Sequence, residues 1–380
     1  MLWTRRIVTL FLACGAACGA TDPTAPDAAV GDATDAAELA PGVTTIDLGA
    51  VTDGVPVTLD VPAHALGVQL IIEGASDTET IGIRSVTSPS GEALVDDLTL
   101  AGVEIPTAST SFGIATVAIP QTSEAIPPAP GAWKLVFQVP AGETAHARAL
   151  VRTTADGEFH GGALDVRIYI PEGLMIADPG VAHVVSAQTA AADPAVQARV
   201  DSFFTTLASL FQLERGTVEF LPLPAKFATI DTEGERLEAL YDTTPFPDGL
   251  GAHFVWTDDV MLGGTAVWGN SAWIPGLANT PQRWLAGVVV DVASSFPAAA
   301  DGMTMVHELG HFMGLFHTTE QVRTYHDPLD DTPECATTGA CPDGNNIMFV
   351  TFYGATGGVG LTATPQQRSV VWGSPIYRAR

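Results

Sequence analysis

Between residues 43 and 154, short runs of alternating apolar and polar residues are separated by turn residues. The clearest runs span residues 55–61, 68–72, 81–86, 114–119, 133–139 and 145–151. Alternation is the period of a strand with one buried face, and closely spaced strands without a helical repeat are typical of a β-sandwich. The pattern therefore predicts a β-sandwich accessory domain over residues 42–155.

After Asp156 the pattern changes to long apolar runs that alternate with helical periodicity. Strands are predicted at residues 164–170, 217–223, 253–256 and 285–290. Asp193 opens a predicted helix, and Thr364 with Pro365 opens a short one that Gly373 and Pro375 follow. Strands and helices in this order predict a mixed sheet with helices against it, over residues 156–380. The fold class of the whole chain is therefore α+β.

Residues 1–20 have the pattern of a secretory signal, in which Arg5 and Arg6 precede an apolar run. Cys14 and Cys18 stand where bacterial lipoproteins carry their lipidated cysteine, and the longer apolar run before Cys18 favours Cys18. Plain export without a lipid remains the alternative. Residues 21–41 contain almost no large apolar residue and are predicted to be a disordered tether. We expect an outer-membrane or cell-surface lipoprotein, or a secreted protein.

The composition excludes some partners. The formal net charge is −27, with 43 acidic and 16 basic residues. Phosphate backbones and anionic lipid surfaces would be repelled, so we expect no nucleic-acid partner and membrane contact only through an N-terminal lipid. No later segment has the roughly 20 apolar residues that a membrane-spanning helix needs.

The strongest chemical signal is the run HELGHFMGLFH at residues 307–317. Because side chains four residues apart share a helix face, His307 and His311 can bind one ion, with Glu308 beside them. Gly314 can adopt the left-handed conformation that ends a helix, which would turn the chain so that His317 reaches the same ion. Three nitrogen ligands and an open fourth position are typical of a catalytic zinc site. We expect the opposite helix face to pack in the core and the histidines to face a cleft.

This run resembles the signature of the metzincin zinc endopeptidases, HExxHxxGxxH, at every signature position. The clan has a tight turn with a methionine beneath the metal, and Met348 matches it. Within the clan, the sequence looks most like the pappalysin-like branch. This resemblance is carried by the run 331–333, the cysteine pair and the asparagine–methionine run at residues 345–348. The resemblance covers roughly residues 164–375 and implies one catalytic Zn²⁺, a protein or peptide substrate and a monomer. It also implies that Glu308 takes a proton from the attacking water and delivers it to the leaving amine.

The sequence departs from the metzincin pattern after Met348. Several metzincins have a tyrosine two residues after this methionine, whereas this chain has Val350. Tyr325, His326 and Tyr353 are the nearby candidates for its role. Residues 268–275 are a candidate for the edge strand along which such enzymes bind substrate.

Two further features of the loop after His317 carry chemistry. Cys335 and Cys341 lie six residues apart, a spacing that suits a disulfide in an oxidising compartment, and no second pair exists to form a zinc knuckle. Asp327, Asp330 and Asp331 could hold Ca²⁺, although a solvated acidic loop is the simpler interpretation.

The sequence thus predicts a zinc-dependent endopeptidase that acts outside the cytoplasm. Two alternatives stay open. The chain could be a catalytically weak or inactive surface lipoprotein that binds peptides, or the β-sandwich could be an inhibitory prodomain. No cysteine lies between Gly19 and Glu334, which excludes a thiolate switch from that region.

Overall fold

The structure, a computed structural model, describes residues 42–76, 80–95, 108–178, 181–246, 249–278, 286–292, 297–320, 326–335, 341–350 and 360–380. It is a mixed α/β protein with several sheets and few helices. The predicted signal at 1–20, the tether at 21–41, Cys14 and Cys18 lie outside the described residues. No helix among the described residues combines the length and apolarity needed to cross a membrane.

The N-terminal sheet contains nine strands. They are β1 (Val43–Val51), β2 (Val57–Val61), β3 (Ala65–Gly74), β4 (Thr80–Thr87), β5 (Ala93–Val95), β6 (Ala108–Phe112), β7 (Ile114–Ile119), β8 (Gly131–Gln138) and β9 (Ala145–Thr153). Their order is β1-β9-β3-β7-β6-β4-β8-β2, with β5 beside β4, and every pair is antiparallel. β1-β9-β3-β7 and β4-β8-β2 share one apolar core, with Leu70 on the first group and Trp133 on the second. The alternation read from the sequence placed the six predicted strands within a few residues of their ends.

The second half of the chain is built on a mixed sheet. Its strands are β10 (Gly162–Pro171), β13 (Leu213–Leu223), β15 (Ala252–Thr257), β18 (Gly269–Ser271), β19 (Val288–Asp291) and β20 (Arg378–Ala379). The order is β13-β10-β15-β19-β18, in which β18 alone is antiparallel to its neighbour on this path and lies at the end. Of the candidate edge strand predicted at residues 268–275, only β18 (Gly269–Ser271) forms a strand in the sheet.

The remaining strands form small additions to this half. They are β11 (Met175–Asp178), β12 (Val181–Val184), β14 (Thr229–Ile230), β16 (Asp259–Leu262) and β17 (Thr265–Val267). β11 and β12 form a hairpin, and β14, β16 and β17 form a three-stranded sheet.

Five α-helices complete the described residues. They are α1 (Ala187–Ala190), α2 (Pro194–Phe211), α3 (Glu233–Tyr241), α4 (Ala298–Phe312) and α5 (Pro365–Gly373). Asp193 caps α2 by accepting from the amides of Ala195 and Val196. Thr364 and Gln367 form a capping box at the start of α5.

One local expectation was wrong. Gly373, which we placed beyond the C-terminal helix, is its last residue. It is required there by a close approach and not by a left-handed turn, because a Cβ at Gly373 would lie 2.9 Å from the Leu66 carbonyl oxygen and 3.1 Å from the Cα of Gly67. This contact joins α5 to the N-terminal sheet.

Candidate metal centre

Helix α4 carries the first two histidines and packs tightly on both sides. A Cβ at Gly302 would lie 2.6 Å from the backbone nitrogen of Phe203 in α2, so glycine allows the two helices to approach closely. His307 and His311 are each 3% exposed. The expectation of a helix with one face open to a cleft is therefore not met, because both faces of α4 are covered by protein.

The chain turns sharply after α4. Phe312 is the last residue of the helix and Met313 is its C-cap, and Gly314 follows with φ of +112°. The amide of Leu315 donates to the Gly310 carbonyl at 2.9 Å, which closes the turn. The turn brings His317, which is fully buried, to the two helix histidines.

The three imidazoles converge on one point. The Nε2 atoms of His307, His311 and His317 lie 3.1–3.2 Å from one another. Zinc bonded to imidazole nitrogens at about 2.0–2.1 Å in tetrahedral geometry places two ligand nitrogens about 3.3 Å apart. The spacing of the three nitrogens therefore fits one zinc ion.

The hydrogen bonds at the far side of each ring fix the tautomers. Nδ1 of His307 donates to the Ile347 carbonyl oxygen at 2.6 Å, and Nδ1 of His311 donates to the Leu315 carbonyl oxygen at 2.7 Å. Nδ1 of His317 lies 2.9 Å from Oε1 of the Glu320 carboxylate. Because these oxygens accept, each Nδ1 carries the proton and each Nε2 presents a lone pair. Three lone pairs facing one another repel unless a cation lies between them, so the donor set fits a metal ion.

Burial also keeps the two helix histidines neutral. It lowers the pKa of His307 to about 3. The pKa of His311 is likewise well below its usual value, chiefly through burial. Metals bind the neutral imidazole, so the two helix histidines are in the ligating form at neutral pH.

Glu308 is held by the edge strand. Its Oε2 accepts the Ser271 amide of β18 at 2.8 Å, and the side chain is 4% exposed. A Cβ at Gly269 would lie 2.7 Å from Cγ of Glu308, so only glycine allows this contact. Burial raises the pKa of Glu308 to about 7, which suits a group that accepts and returns a proton near neutral pH.

Met348 packs against helix α4 at Gly310. Its Sδ is 2.5 Å from the position that a Cβ on Gly310 would take, so the glycine makes room for the thioether. The Met348 amide donates to Oδ1 of Asn346 at 2.9 Å. Asn346 and Gln367 exchange two hydrogen bonds, at 3.0 and 3.1 Å, and both are buried. The loop that supplies Met348 and the Ile347 carbonyl is thereby tied to the cap of α5.

The residue that departs from the metzincin pattern is buried. Val350 is 5% exposed and offers no hydrogen-bonding side chain. Of the candidates for the tyrosine role, Tyr325 and Tyr353 lie outside the described residues. His326 is described, and its Nδ1 faces the Thr319 hydroxyl at 3.3 Å and the Thr318 carbonyl at 3.4 Å.

The loop after His317 contains the cysteine pair and the acidic residues. Cys335 and Cys341 have their sulfurs at disulfide distance, 1.93 Å. Asp327 is buried, bonds Thr332 through Oδ1 and has no partner for Oδ2 among the described residues, whereas Asp330 and Asp331 are exposed. The loop is therefore only partly solvated. The possible calcium site stays a prediction.

Sequence reasoning missed three residues of this centre. Glu320 is a carboxylate three residues after the third histidine, a local signal that could have suggested a partner for His317. Ser271 and Gly269 are remote in sequence from Glu308 and act through backbone contacts, so no side-chain motif marks them.

No protein-family profile and no curated protein sequence matches this chain. Among solved structures, it is similar to archaemetzincin from Methanopyrus kandleri, with 17% identity and a TM-score of 0.29 over 57% of this chain and 89% of the archaemetzincin. A family two carbohydrate esterase from Cellvibrio japonicus is similar at 8% identity and a TM-score of 0.15, over 48% of this chain and 52% of the esterase. Scores this low carry no argument about a shared activity or about the pappalysin-like branch. The function is therefore argued from the geometry of the site.

Proposed function

We propose that this chain is a zinc-dependent endopeptidase of the metzincin type, with a pappalysin-like signature. One observation carries the proposal. Three imidazoles present their Nε2 atoms to one point at zinc spacing, while a buried carboxylate of raised pKa is held beside them by the edge strand. The proposed ligands of the single Zn²⁺ are His307, His311 and His317, and Glu308 is the proposed catalytic residue.

When bound, zinc supplies Lewis-acid chemistry that polarises the scissile carbonyl and acidifies a water molecule. The Glu308 carboxylate accepts the proton of the attacking water on Oε1 or Oε2 and returns it to the leaving amine. The Ser271 amide keeps this carboxylate in place. Glu320 and the Ile347 and Leu315 carbonyls hold the imidazoles in the ligating orientation. Met348 is an apolar support beneath the ligands and does not react.

The substrate in this proposal is a protein or peptide bound as an extended strand beside β18, which ends the sheet and is antiparallel to β19. An extended peptide added to a sheet edge gains main-chain hydrogen bonds and little side-chain discrimination. The edge position thus supports peptide binding and leaves the preferred residues to loops.

The proposal is tested with a mixed peptide library read by mass spectrometry, with and without a chelator. We expect cleavage that the chelator abolishes. Glu308→Gln should keep zinc and lose peptide cleavage by about 10²- to 10⁴-fold, because the proton acceptor is gone. Cleavage that resists chelation, or wild-type turnover by the variant, would refute the mechanism.

We further propose that the chain is exported by residues 1–20 and anchored through a lipid on Cys18, or secreted. Labelling with a radioactive fatty acid tests this proposal, with Cys18→Ser and Cys14→Ser as a matched pair. Label lost only in Cys18→Ser supports Cys18. Unlabelled protein in the medium supports plain secretion.

The competing function is peptide binding without cleavage. It is favoured by Val350, which cannot supply the hydrogen bond that a tyrosine at this position would give. Saturable binding of library peptides by zinc-loaded wild-type protein without products would establish this alternative.

A further inference from the structure

The N-terminal sheet reaches the turn that delivers His317. Gln121, two residues after the end of β7, is 3% exposed. Its Nε2 donates to the Gly314 carbonyl at 3.0 Å, and its Oε1 accepts the Ala118 amide at 3.2 Å. Since a backbone N–H can only donate, the Ala118 contact fixes the orientation of the amide and aims its NH₂ group at Gly314.

The carbonyl that Gln121 binds belongs to the residue that redirects the chain. Gly314 has φ of +112°, and a Cβ there would lie 3.4 Å from Nε2 of Gln121 and 3.5 Å from Cβ of Ala118. A buried carbonyl without a partner is costly, so Gln121 stabilises this turn in the geometry that brings His317 to the other ligands.

A second glutamine makes an equivalent contact nearby. Gln69 of β3 is buried, and its Nε2 donates to the Gly276 carbonyl at 2.5 Å. The Gly276 amide in turn donates to the carbonyl of Phe312, the last residue of α4, at 2.9 Å. Gln69 in β3 and Gln121 just beyond β7 therefore hold both sides of the chain reversal after α4.

The same interface is closed by a buried cation. Arg152 of β9 is fully buried and donates from Nε to the Ser374 carbonyl at 2.7 Å and from Nη2 to the Pro375 carbonyl at 3.1 Å and to the Tyr377 carbonyl. Its guanidinium lies 3.7 Å from the centre of the Tyr377 ring. Separating the two halves would leave Arg152 and both glutamines without these partners.

We propose that the N-terminal sheet is a permanent part of the metal centre, and that Gln121 is a positioning residue for His317. A prodomain must leave the enzyme without dismantling it. If the N-terminal sheet left, the hydrogen bond from Gln121 to the Gly314 carbonyl would be lost, and with it the support for His317. The inference rests on the proposed zinc site and concerns metal binding first, so it can be tested without a known peptide substrate.

The first test compares Gln121→Glu with Ser123→Ala in the full chain. Glutamate keeps an acceptor for the Ala118 amide but turns an oxygen toward the Gly314 carbonyl. The Ser123 hydroxyl donates to Gln366 across the same interface at 2.6 Å and accepts the Asp330 amide at 2.7 Å. Neither partner belongs to the turn at Gly314, so Ser123→Ala is the control. Zinc affinity is measured by competition with a chromogenic chelator, and ligand geometry by the visible spectrum of the Co²⁺-loaded protein.

We expect Gln121→Glu to bind zinc about tenfold more weakly and to shift the Co²⁺ bands, as losses of supporting contacts around metal ligands do. Ser123→Ala should keep the wild-type values. If Gln121→Glu keeps the wild-type zinc affinity and Co²⁺ spectrum, the positioning role is overturned. It is also overturned if Gln121→Glu and Ser123→Ala lose the same zinc affinity while their thermal unfolding midpoints are equal. Failure of all forms, wild type included, to bind zinc would instead refute the zinc site itself.

The second test cuts the connection between the halves. Asp156 and His160 have side chains 54% and 57% exposed, so a specific protease site can be inserted between Gly157 and Glu158. After cutting, in the Glu308→Gln background, both fragments should co-elute under native conditions and retain zinc. Separation of the fragments, or cutting that raises the activity of the otherwise wild-type chain, would show a prodomain and overturn the proposal.

Discussion

The two halves of this protein bury different kinds of side chain. Between β1 and β9 the core consists of apolar residues such as Leu70 and Trp133. Five polar residues are buried among the described residues of this half, and three of them, Gln69, Gln121 and Arg152, bind the other half. The second half buries charged groups and the three histidines of the candidate site within its own elements, and the charged groups include the Arg199–Asp301 pair.

The difference separates stability from chemistry. An apolar core tolerates many sequences of similar volume and gives a firm scaffold. Buried polar groups are stable only with their partners in place, so each one fixes a local geometry. The N-terminal half supplies the scaffold, and the second half has the groups whose geometry matters for binding a metal. Four tests address this contrast.

The largest effect is expected at the ion pair between α2 and α4. Nε of Arg199 lies 2.7 Å from Oδ2 of Asp301, with side chains 1% and 3% exposed. Arg199→Ala leaves a buried carboxylate unpaired and should lower the free energy of unfolding by about 3–5 kcal/mol. Arg215→Ala, which removes the exposed pair with Asp201, should cost at most about 1 kcal/mol. Equal denaturant midpoints for the two variants would contradict the contrast.

The buried carboxylate of Asp327 predicts a pH dependence. Burial raises its pKa to about 7, so the folded state binds more protons than the unfolded state between about pH 4 and pH 7. This stabilising contribution is present below pH 4 and is lost as pH rises to 7. The side chain introduced by Asp327→Asn cannot lose a proton, so the variant escapes this loss. Between about pH 4 and pH 7, its free energy of unfolding should therefore rise relative to that of the wild type by up to about 4 kcal/mol. Urea unfolding in the presence of a chelator measures this difference, and parallel pH profiles would contradict it.

The apolar half is tested at β3, where neighbouring residues face opposite cores. Leu70 packs in the N-terminal core, and Ile71 packs in the core shared with the second half. Leu70→Ala and Ile71→Ala should each lower the free energy of unfolding by about 2–5 kcal/mol. Leu70→Ala should leave zinc affinity within about twofold of wild type, because the site is not among its contacts. A large loss of affinity in Leu70→Ala would show that the scaffold and the site are not separable.

The smallest effect comes from a comparison of two helical glycines, Gly310 in α4 and Gly234 in α3. Gly310→Ala places a methyl group 2.5 Å from Sδ of Met348, and displacing that side chain should cost about 1–3 kcal/mol and weaken zinc binding. Gly234→Ala in α3 is the control, because its nearest atom is 3.9 Å away. It should raise the free energy of unfolding by up to about 1 kcal/mol. Thermal unfolding with and without zinc compares the two variants. A Gly310→Ala variant with wild-type stability and zinc binding would show that Met348 is not held against the helix.

Local signals predicted most of the elements that depend on local physics. Residues 114–119 form β7 at the predicted limits, and Asp193 is the N-cap of α2. Helix α3 was missed although Thr232 and Glu235 form a capping box, a signal present in the sequence. The short strands β11, β12, β14, β16 and β17 are too brief for periodicity to identify.

The cluster of His307, His311 and His317 was predictable because one helical turn and one glycine turn relate the three residues. Their supports were not, because they come from distant segments. The Glu308 carboxylate accepts the backbone amide of Ser271, which is 37 residues away in the sequence. The Gly314 carbonyl accepts the side-chain amide of Gln121, which is 193 residues away. Nothing in the local composition of Gln121 distinguishes it from a surface glutamine. Only the packing of the two halves gives it a role.

The position of the Arg152 partners along the chain sets an order of assembly. The carbonyl oxygens that bind Arg152 are 222 to 225 residues further on. While the polypeptide is being synthesised, the nine strands emerge long before these oxygens exist, and the guanidinium must remain hydrated until then. Contacts so distant in sequence are among the last to form and slow the search for the native state. The reversal that delivers His317 also precedes these oxygens, so the ribosome must finish nearly the whole second half before the interface around Arg152 can close.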